Sequence, residues 1–350
     1  MNVLVTGGAG YIGSHAAKRL LREGHSVLIL DSLIPGRANE GAVSALRSMQ
    51  SAGAKLAFVR ADIGDPDAVR SAVRAHDCEG VLHFAALAYV RESVDKPLEY
   101  YVNNTAKTML LLEACLDAGI ERFVLSSTCA TYGQPPLDRL PVREDCPQVP
   151  ITPYGWSKLF AERTLFETTR SYAAQSRPLA ICALRYFNVA GADPDGLLGE
   201  HHDPETHLIP TLLRAAMGLS GPVRINAAPK GTTPDGTCVR DYIHVDDLVD
   251  AHIRALLALE PSRNDTWAYN LGVGKPASTL EVLRACESVV GQPIPHVMAP
   301  AHPGDAAQLF ADASAIERDL GWTPKHCDVE TMAHHAWNWL RRHPDGYPET

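Results

Sequence analysis

The chain has 350 residues, of which 45% are hydrophobic and 21% charged, and this composition indicates a soluble globular protein of one large or two ordinary domains. The formal net charge of −9 argues against a nucleic-acid partner, because a general nucleic-acid surface is basic. No apolar run approaches the roughly 18 residues of a transmembrane helix, so no membrane partner is expected.

The cysteine pattern and the amino terminus bear on metal binding and location. The eight cysteines are scattered without a C-x-x-C pair, so a zinc site is not expected and no metal site is predicted. Met1 and Asn2 run directly into an apolar strand, without a signal-peptide pattern. Reduced thiols and the missing signal predict a cytoplasmic location.

Short apolar runs alternate with helical patterns through the first half of the chain. The predicted strands are VLVT (3–6), VLIL (27–30), LAFV (56–59), VLHFA (81–85), FVLSS (123–127) and LAICALR (179–185). The predicted helices lie near 12–22, 40–51, 66–75, 98–118 and 153–174. Because continuously apolar strands separated by helices form a parallel sheet covered on both faces, the sequence predicts an α/β fold with a doubly wound Rossmann sheet.

The pattern changes after about residue 186. Gly, Pro and Asp are dense through 188–207, which predicts a binding loop, and 208–218 is a predicted helix. Residues 240–259 begin as a strand and continue as an amphipathic helix. We therefore expect a dinucleotide-binding domain over 1–185 and a smaller α/β substrate domain over 186–350, with the segment near 236–260 packing back on the first domain.

A glycine-rich turn opens the chain. VLVTGGAGYIGSH places Gly7, Gly10 and Gly13 between a strand and a helix, where a pyrophosphate can approach the backbone and the helix amino terminus. Asp31 ends the next strand, where its carboxylate can accept both ribose hydroxyls of adenosine and repel a 2′-phosphate. The sequence therefore favours NAD over NADP, although Arg37 lies nearby in the following loop.

Other strand ends carry candidate cofactor contacts. Asp62 follows the third strand, where it can accept the adenine amino group or cap the next helix, and Asp65 is better placed for the cap. Ala85 and Ala86 end the fourth strand and leave room for cofactor beside the main chain. His83 is expected to pack within the sheet.

Three residues form the candidate catalytic group. Thr128 lies where the fifth strand ends in hydroxyl side chains, and Tyr154 and Lys158 share one helix face at i, i+4 spacing. Free tyrosine titrates near roughly 10, so it is a poor base at neutral pH. The Lys158 ammonium and a nicotinamide cation could lower its pKa, and we predict Tyr154 as a catalytic base for that reason.

Several motifs together resemble one known family. TGGAGYIGSH, SSTCATYG, PYGWSK, RYFN, GTCVRDYIHVDDL and NLGVG occur in the order seen in extended short-chain dehydrogenases/reductases. The similarity covers nearly the whole chain and is strongest to NAD-dependent nucleotide-sugar 4-epimerases of the UDP-glucose 4-epimerase type. It implies a bound, recycled NAD, a 4-keto sugar intermediate and a homodimer joined through helices 98–118 and 153–174, with Leu110, Leu111 and Leu165 on apolar faces.

The resemblance also implies roles for individual residues. Tyr154 would be the base, Lys158 would hold the nicotinamide ribose, and Thr128 would occupy the family's Ser/Thr position. The implied cofactor contacts are Tyr11, Ile12, Asp31, Asp62, Ile63, Phe84, Asn103 and Phe187. The implied UDP-sugar contacts are Asn188, Leu208, Arg240 and Asp305. Arg240 suits bidentate pairing with a diphosphate, with a core ion pair to Asp241 or Asp246 as the alternative.

Some positions depart from the family pattern. Related dehydratases carry an Asp-Glu pair after the threonine, whereas Cys129 and Ala130 stand here, which disfavours elimination of water. Ala88 replaces a cofactor-contacting lysine. His302 replaces a diphosphate-binding arginine and could still donate a hydrogen bond, and Lys230 is a second candidate for that charge.

Leu309 occupies the position that limits the sugar pocket in some members, and its intermediate size leaves the substrate open. The leading hypothesis is a UDP-hexose 4-epimerase. A UDP-xylose/UDP-arabinose or UDP-GlcNAc 4-epimerase is the alternative. A non-catalytic NAD-sensing protein is a hypothesis of a different class, and the intact Thr128, Tyr154 and Lys158 set argues against it.

Overall fold

A computed structural model describes residues 1–51, 53–301 and 306–348. The strands are β1 (Asn2–Thr6), β2 (Ser26–Asp31), β3 (Leu56–Arg60), β4 (Gly80–His83), β5 (Arg122–Thr128), β6 (Ala180–Tyr186), β7 (Asn188–Ala190), β8 (Val223–Asn226), β9 (Val239–Arg240), β10 (Tyr242–His244), β11 (Thr266–Leu271), β12 (Ala277–Ser278), β13 (His296–Ala299) and β14 (Gln308–Leu309). The helices are α1 (Tyr11–Arg22), α2 (Glu40–Arg47), α3 (Pro66–Ala75), α4 (Val90–Asp95), α5 (Pro97–Tyr100), α6 (Lys107–Asp117), α7 (Pro153–Ala174), α8 (Leu208–Ala216), α9 (Val245–Ala258), α10 (Thr279–Val290), α11 (Ser314–Leu320) and α12 (Val329–Arg342).

Seven of these strands form one sheet in the spatial order β11-β6-β5-β4-β1-β2-β3, and each neighbouring pair is parallel. The chain starts at β1 in the middle, builds β2 and β3 on one side, and returns to build β4, β5 and β6 on the other. This is a doubly wound Rossmann sheet, and the predicted fold class is confirmed. Because the winding reverses between β1 and β4, the carboxyl ends of these strands border a crevice where α/β proteins bind ligands.

Alternating side chains of β1 contribute to hydrophobic cores on both faces of the sheet. Val3 and Val5 point towards the face covered by α1, α2 and α9, whereas Leu4 points towards the face covered by α3, α6 and α7. Leu111 of α6 and Leu165 of α7 are fully buried in this second core. Their predicted placement on faces that contact a partner subunit is therefore wrong, because both leucines complete the protein's own core.

The predicted helix at 98–118 is interrupted in the structure. α5 ends at Tyr100, a π-helical segment follows over Tyr101–Ala106, and α6 begins at Lys107. In this segment the Asn104 side chain exchanges two hydrogen bonds with the Leu87 backbone, at 2.8 and 2.9 Å. Hydrophobic periodicity did not reveal the interruption, because a π turn widens the helix without requiring any special residue type.

β11 is a strand that the sequence analysis did not predict. It pairs in parallel with β6, from Thr266 opposite Ile181 to Leu271 opposite Tyr186, and extends the sheet at its edge. Its first residue is exposed and only its last three residues are buried. It therefore lacks the continuous apolar run by which the central strands were recognised.

The shorter strands pair with one another outside the main sheet. β10 pairs with β7, β13 pairs with β8, and β9 lies between β12 and β14. α9 packs against α1, β4 and β5. The division into domains at residue 185 stays a prediction. Within the described ranges, no helix is long and apolar enough to cross a membrane.

A buried ion pair connects α7 to β6. The side chains of Glu162 and Arg185 are 0% and 5% exposed, and Arg185 Nη2 lies 2.8 Å from Glu162 Oε2. Arg185 Nε also donates to the same carboxylate, and the Ser127 hydroxyl donates to it from β5. The remaining Arg185 nitrogen donates to the Tyr132 hydroxyl at 2.9 Å. Both charges are thus paired and hydrogen-bonded, as burial of an ion pair requires.

We predict that Arg185→Ala lowers the free energy of unfolding by about 3–5 kcal/mol, because it leaves the Glu162 carboxylate buried without its cation. Urea unfolding followed by circular dichroism measures this loss. Arg163→Ala, which changes an exposed arginine on the same helix, is the matched control and is expected to stay within about 0.5 kcal/mol of the parent. A loss below about 1 kcal/mol for Arg185→Ala would contradict the role of the pair.

Candidate active site

A cavity of about 480 Å³ lies at the carboxyl edge of the sheet, and we call it the main cavity. It lies in the crevice between the ends of β1 and β4 and extends towards β9 and α8. Every candidate site residue that the structure describes lines this cavity. These residues are Gly7, Gly10, Tyr11, Ile12, Gly13, Asp31, Asp62, Ile63, Phe84, Ala85, Ala86, Asn103, Thr128, Tyr154, Lys158, Phe187, Asn188, Leu208, Arg240 and Leu309. The other two, His302 and Asp305, lie outside the described residues.

The glycine-rich turn forms the floor of the main cavity. Gly7 has φ +70°, and a Cβ there would lie 2.6 Å from the Ala85 nitrogen. A Cβ on Gly13 would lie 2.2 Å from the Gly7 carbonyl oxygen, so this glycine lets α1 pack tightly on the turn. Gly10 precedes α1 and has no side chain that could cap the helix, so the first N–H groups of α1 are left for a ligand. Together with the positive end of the helix dipole, these N–H groups fit the pyrophosphate of a dinucleotide.

Asp31 lies at the end of β2, where the backbone fixes its carboxylate. Its two oxygens accept hydrogen bonds from the Ala9 and Leu33 N–H groups, at 3.0 and 2.8 Å. Burial raises the pKa of Asp31, and these two hydrogen bonds act in the opposite direction. The remaining lone pairs of the carboxylate are the candidate acceptors for ribose hydroxyls.

Arg37, which could have favoured a 2′-phosphate, is held by other groups. Its guanidinium carbon lies 3.5 Å from the centre of the Tyr89 ring, and its Nη2 lies 2.8 Å from Glu92 Oε2. The Glu92 carboxylate also accepts a hydrogen bond from the Tyr100 hydroxyl at 2.8 Å. Arg37 therefore already has an anionic partner and a stacking partner, which supports selection of NAD by Asp31.

Asp62 is not the cap of α3. That cap is Asp65, whose side chain accepts hydrogen bonds from the Asp67 and Ala68 N–H groups. Asp62 instead accepts from the Gly64 N–H at 2.7 Å and pairs with Lys107 Nζ at 2.6 Å. The alternative of a helix cap is therefore excluded, and a contact between Asp62 and adenine stays a prediction.

The candidate catalytic residues meet where β5 ends and α7 begins. Thr152 caps α7 through the Gly155 N–H, which places Tyr154 and Lys158 on the buried side of the first turns. Thr128 and Tyr154 both line the cavity here, and an interaction with the Thr128 hydroxyl lowers the pKa of Tyr154. Lys158 Nζ donates to the Ser126 carbonyl oxygen at 2.9 Å. One face of α7 thus presents a hydroxyl and an ammonium to the main cavity.

The protein's own groups together raise the pKa of Tyr154, and Lys158 is not among the main groups that act on it. Burial raises the Tyr154 pKa well above its ordinary value, Tyr186 raises it further, and only the interaction with Thr128 lowers it appreciably. Burial also lowers the pKa of Lys158 to about 8, against the opposing effect of Glu162. The same dry surroundings disfavour both the phenolate of Tyr154 and the ammonium of Lys158.

Arg240 is available for an anionic ligand. Its Nη1 donates to the carbonyl oxygen of Val239 at 2.9 Å. Asp241 instead accepts hydrogen bonds from the Val273 and Ala311 N–H groups. Within the described part of the chain, Arg240 thus forms no ion pair with Asp241 or Asp246, which was the alternative to a role in binding the diphosphate.

The remaining candidates fall on different surfaces. Ala88 lines the main cavity, whereas Lys230 is exposed and lies outside the cavity lining. His83 packs within the sheet as expected, between the Thr6 hydroxyl at 2.7 Å and the Thr108 hydroxyl at 2.9 Å. Leu309 packs in a small apolar cluster that includes Phe187.

Other residues of the cavity lining were not singled out from the sequence. Tyr186 hydrogen-bonds Ser126 beside the Tyr154 ring, and its only signal was its place in RYFN. Glu200, His202 and His207 line the opposite wall. These three lie in the segment that was predicted as a binding loop, but glycine and proline density alone did not indicate which side chains face the cavity.

Comparisons with known proteins agree with this site. The NAD dependent epimerase/dehydratase family matches residues 3–272. A UDP-glucose 4-epimerase of Halalkalibacterium halodurans is 44% identical over 349 residues, which cover 99% of this chain and 98% of the relative. A probable UDP-arabinose 4-epimerase of Oryza sativa is 43% identical over 353 residues, which cover 99% of this chain and 81% of the relative. The structure of UDP-glucose 4-epimerase from Bifidobacterium longum with NAD+ and UDP has a TM-score of 0.91 and 36% identity, over 99% of this chain and 100% of that one.

We predict that Asp31→Ser reduces the preference for NAD over NADP by at least about tenfold, or about 1.4 kcal/mol, because it removes the charge that repels a 2′-phosphate. Reconstitution of cofactor-depleted protein with each dinucleotide measures the two affinities. Asp65→Ser, which alters the cap of α3 away from the cavity lining, is the control. An unchanged ratio of affinities in Asp31→Ser would exclude Asp31 as the selecting residue.

Proposed function

The chain belongs to the NAD dependent epimerase/dehydratase family, and we propose that it is a UDP-sugar 4-epimerase that interconverts UDP-glucose and UDP-galactose. The observation that carries this proposal is the arrangement of Thr128, Tyr154 and Lys158 in the main cavity. The two residues after Thr128 are Cys129 and Ala130, which supply no acid and base for elimination of water. The site is therefore equipped to move one proton at a sugar hydroxyl and not to dehydrate the sugar.

NAD fits the backbone cradle at Gly7 and Gly10 and the carboxylate of Asp31, and when bound it accepts and returns a hydride. Family membership confirms NAD as the cofactor predicted from the sequence. The other proposed contacts are Tyr11, Ile12, Gly13, Asp62, Ile63, Phe84, Ala85, Ala86, Asn103, Lys158 and Phe187. Lys158 Nζ donates to the Ser126 carbonyl oxygen, which holds this side chain in place at the proposed cofactor end of the cavity.

Tyr154 is proposed as the group that exchanges a proton with the sugar 4-hydroxyl. Its own burial keeps it protonated, so removal of its proton depends on positive charge in the cavity. The Thr128 hydroxyl is proposed to stabilise the phenolate once it forms, because its interaction with Tyr154 lowers the Tyr154 pKa. The 4-keto sugar that follows loss of the hydroxyl proton and the hydride can then be reduced on its opposite face.

Epimerisation requires a firm hold on UDP and free space around the sugar. Arg240, Asn188 and Leu208 are proposed for the nucleotide end, where Arg240 is suited to the diphosphate. His302 and Asp305 remain proposed contacts. Leu309 is proposed to limit the sugar end of the cavity.

A UDP-xylose/UDP-arabinose 4-epimerase is the second candidate function. Relatives named UDP-arabinose 4-epimerase are as similar to this chain as those named UDP-glucose 4-epimerase. The structure of a UDP-glucose 4-epimerase from Stenotrophomonas maltophila, which contains NAD and formylated UDP-arabinopyranose, has a TM-score of 0.89 and 39% identity over 99% of each chain. A pentose lacks the 6-hydroxymethyl group, so it needs less space beside Leu309 than a hexose or an N-acetylhexosamine.

We predict turnover of UDP-glucose and UDP-galactose in a panel that also contains UDP-GlcNAc, UDP-xylose and UDP-arabinose, with products separated by chromatography. Tyr154→Phe is expected to lower kcat by at least about 100-fold, because it removes the proton-exchanging hydroxyl, while bound NAD and the circular dichroism spectrum stay unchanged.

Tyr172→Phe is the matched control, since Tyr172 lies on the same helix but its hydroxyl contacts only Arg177 among the described hydrogen bonds. Turnover of pentoses alone would replace the leading function by the second one. A protein that binds NAD but converts no UDP-sugar would favour the non-catalytic alternative. Full activity of Tyr154→Phe would exclude Tyr154 as the base.

We also propose that the enzyme acts in the cytoplasm, in line with its scattered cysteines, and as a homodimer. An exposed apolar surface supports the dimer: Leu98, Val102 and Phe160 on neighbouring helical segments are 78%, 54% and 44% exposed. α5, the π-helical segment and α7 contact one another, so these side chains can contribute to one interface.

We predict a dimer in light scattering at micromolar concentration and a shift towards monomer in the Leu98→Glu/Phe160→Glu variant, because charges in an apolar interface are costly. Leu257→Glu is the control, since Leu257 is 49% exposed on α9, which covers the opposite face of the sheet. A monomeric parent protein, or a variant that stays dimeric, would show that this surface is not the interface.

A further inference from the structure

The segment 200–207 brings four possible metal ligands together at one wall of the main cavity. Glu200, His202, Glu205 and His207 each offer one ligand atom, and these atoms all lie within 4.8 Å of one another. We call this group the His/Glu cluster. The glycine- and proline-rich composition of the segment predicted a binding loop, but neither the proposed epimerase chemistry nor the dinucleotide site uses these four side chains.

We propose that the His/Glu cluster binds one zinc ion through two imidazole nitrogens and two carboxylate oxygens. His207 Nδ1 lies 2.7 Å from Glu200 Oε1 and 3.2 Å from Glu205 Oε1. His202 Nδ1 lies 3.2 Å from Glu200 Oε1 and 3.5 Å from Glu205 Oε2. Bonds of about 2.0–2.2 Å to a tetrahedral zinc place neighbouring ligand atoms about 3.3–3.6 Å apart, so small side-chain adjustments convert the cluster into a zinc site.

The charges of the cluster balance when zinc binds. Two carboxylates carry two negative charges, and a divalent cation held with two neutral imidazoles neutralises them. The alternative state is two imidazolium groups paired with the same carboxylates. Starting from that state, zinc binding breaks two N–H bonds, forms two Zn–N bonds and releases two protons to water, so the net charge of the segment does not change.

The orientation of His202 independently indicates a ligand. Its Nδ1 is enclosed by the protein but makes no aligned hydrogen bond, although two carboxylates lie nearby. The side chains of Glu200 and Glu205 are each 6% exposed, and that of His202 is 13% exposed. Because this nitrogen is enclosed and directed between two carboxylates, it is placed to bind a metal ion that both carboxylates also bind.

Surrounding groups hold the ligands in place, as partners outside the ligand shell do in metal sites. The Tyr89 ring packs edge-on against the rings of His202 and His207, at centroid distances of 6.0 and 5.8 Å. The Tyr89 hydroxyl donates to the Pro204 carbonyl oxygen at 3.2 Å, inside the same segment. Glu205 Oε1 accepts from the N–H groups of Thr206 and His207, which leaves Oε2 facing His202.

The ligand set points to zinc among common cations. Mg²⁺ and Ca²⁺ prefer sites made of oxygen ligands, whereas imidazole suits zinc and its neighbours in the transition series. Four protein ligands complete a tetrahedral shell and leave no open position for a reacting water. The site is therefore structural. Zinc would stabilise segment 200–207, and Asp203 of this segment donates its N–H to the Gly36 carbonyl oxygen at 3.0 Å. The metal would therefore also help to position the neighbouring loop that carries Arg37.

Zinc titration of the untagged holoenzyme tests this inference, which goes beyond the proposed function and does not depend on it. After treatment with a chelator that leaves NAD bound, we expect one equivalent of Zn²⁺ to bind with submicromolar affinity and to raise Tm, and Mg²⁺ and Ca²⁺ to do neither. His202→Gln and His207→Gln should each weaken zinc binding by at least about 100-fold, because even loss of an outer partner costs 10–100-fold.

His296→Gln is the matched control, because it changes an exposed histidine of β13 far from the cluster in the chain, and its zinc affinity should equal that of the parent. X-ray absorption of the zinc-loaded parent protein gives a second readout that needs no variant. It should show nitrogen and oxygen neighbours near roughly 2.0–2.2 Å and no sulfur near roughly 2.3 Å. Zinc bound through cysteine, binding unchanged in both cluster variants, or no stoichiometric binding would each overturn the proposal.

Discussion

Burial of charge along one face of α7 is the constraint on which the rest of the site depends. Tyr154, Lys158 and Glu162 follow one another at i, i+4 spacing, and all three are buried against β5 and β6. Glu162 is held by Arg185, and it in turn favours the charged form of Lys158. Glu162 is paired with Arg185, and Lys158 is held by the Ser126 carbonyl oxygen. These partners offset the cost of burying charge on α7, so the helix can present an ammonium and a hydroxyl to a dry cavity.

The same burial determines how the site can work. A tyrosine that burial keeps protonated is a poor base until a positive charge enters the cavity, and the Lys158 ammonium alone does not overcome this effect. In the proposed reaction, proton removal by Tyr154 therefore depends on a cationic ligand, which couples loss of the proton to loss of the hydride from the same carbon–oxygen group.

Short sequence motifs predicted the parts of the molecule in which the local backbone geometry accepts only one or a few residue types. Gly7 and Gly13 are enforced by backbone contacts that exclude a Cβ, and Asp65 caps α3 because its side chain accepts from the unpaired N–H groups of the first turn. Features set by tertiary contacts were missed. β11 is recognisable only from its pairing with β6, and the burial of Leu111 depends on which face of the sheet its helix covers.

Different interactions hold the two walls of the main cavity in place. On one side the strand ends and α7 are fixed by the sheet and by the core, so their side chains keep their positions at little further cost. On the other side segment 200–207 has no regular hydrogen-bond ladder, and its hold on the protein comes from polar contacts such as Asp203 with Gly36 and Tyr89 with Pro204. A loop that must shape a cavity without a core of its own needs an internal cross-link. Two histidines and two glutamates that converge on one point can provide it, either as paired charges or as ligands of one metal ion.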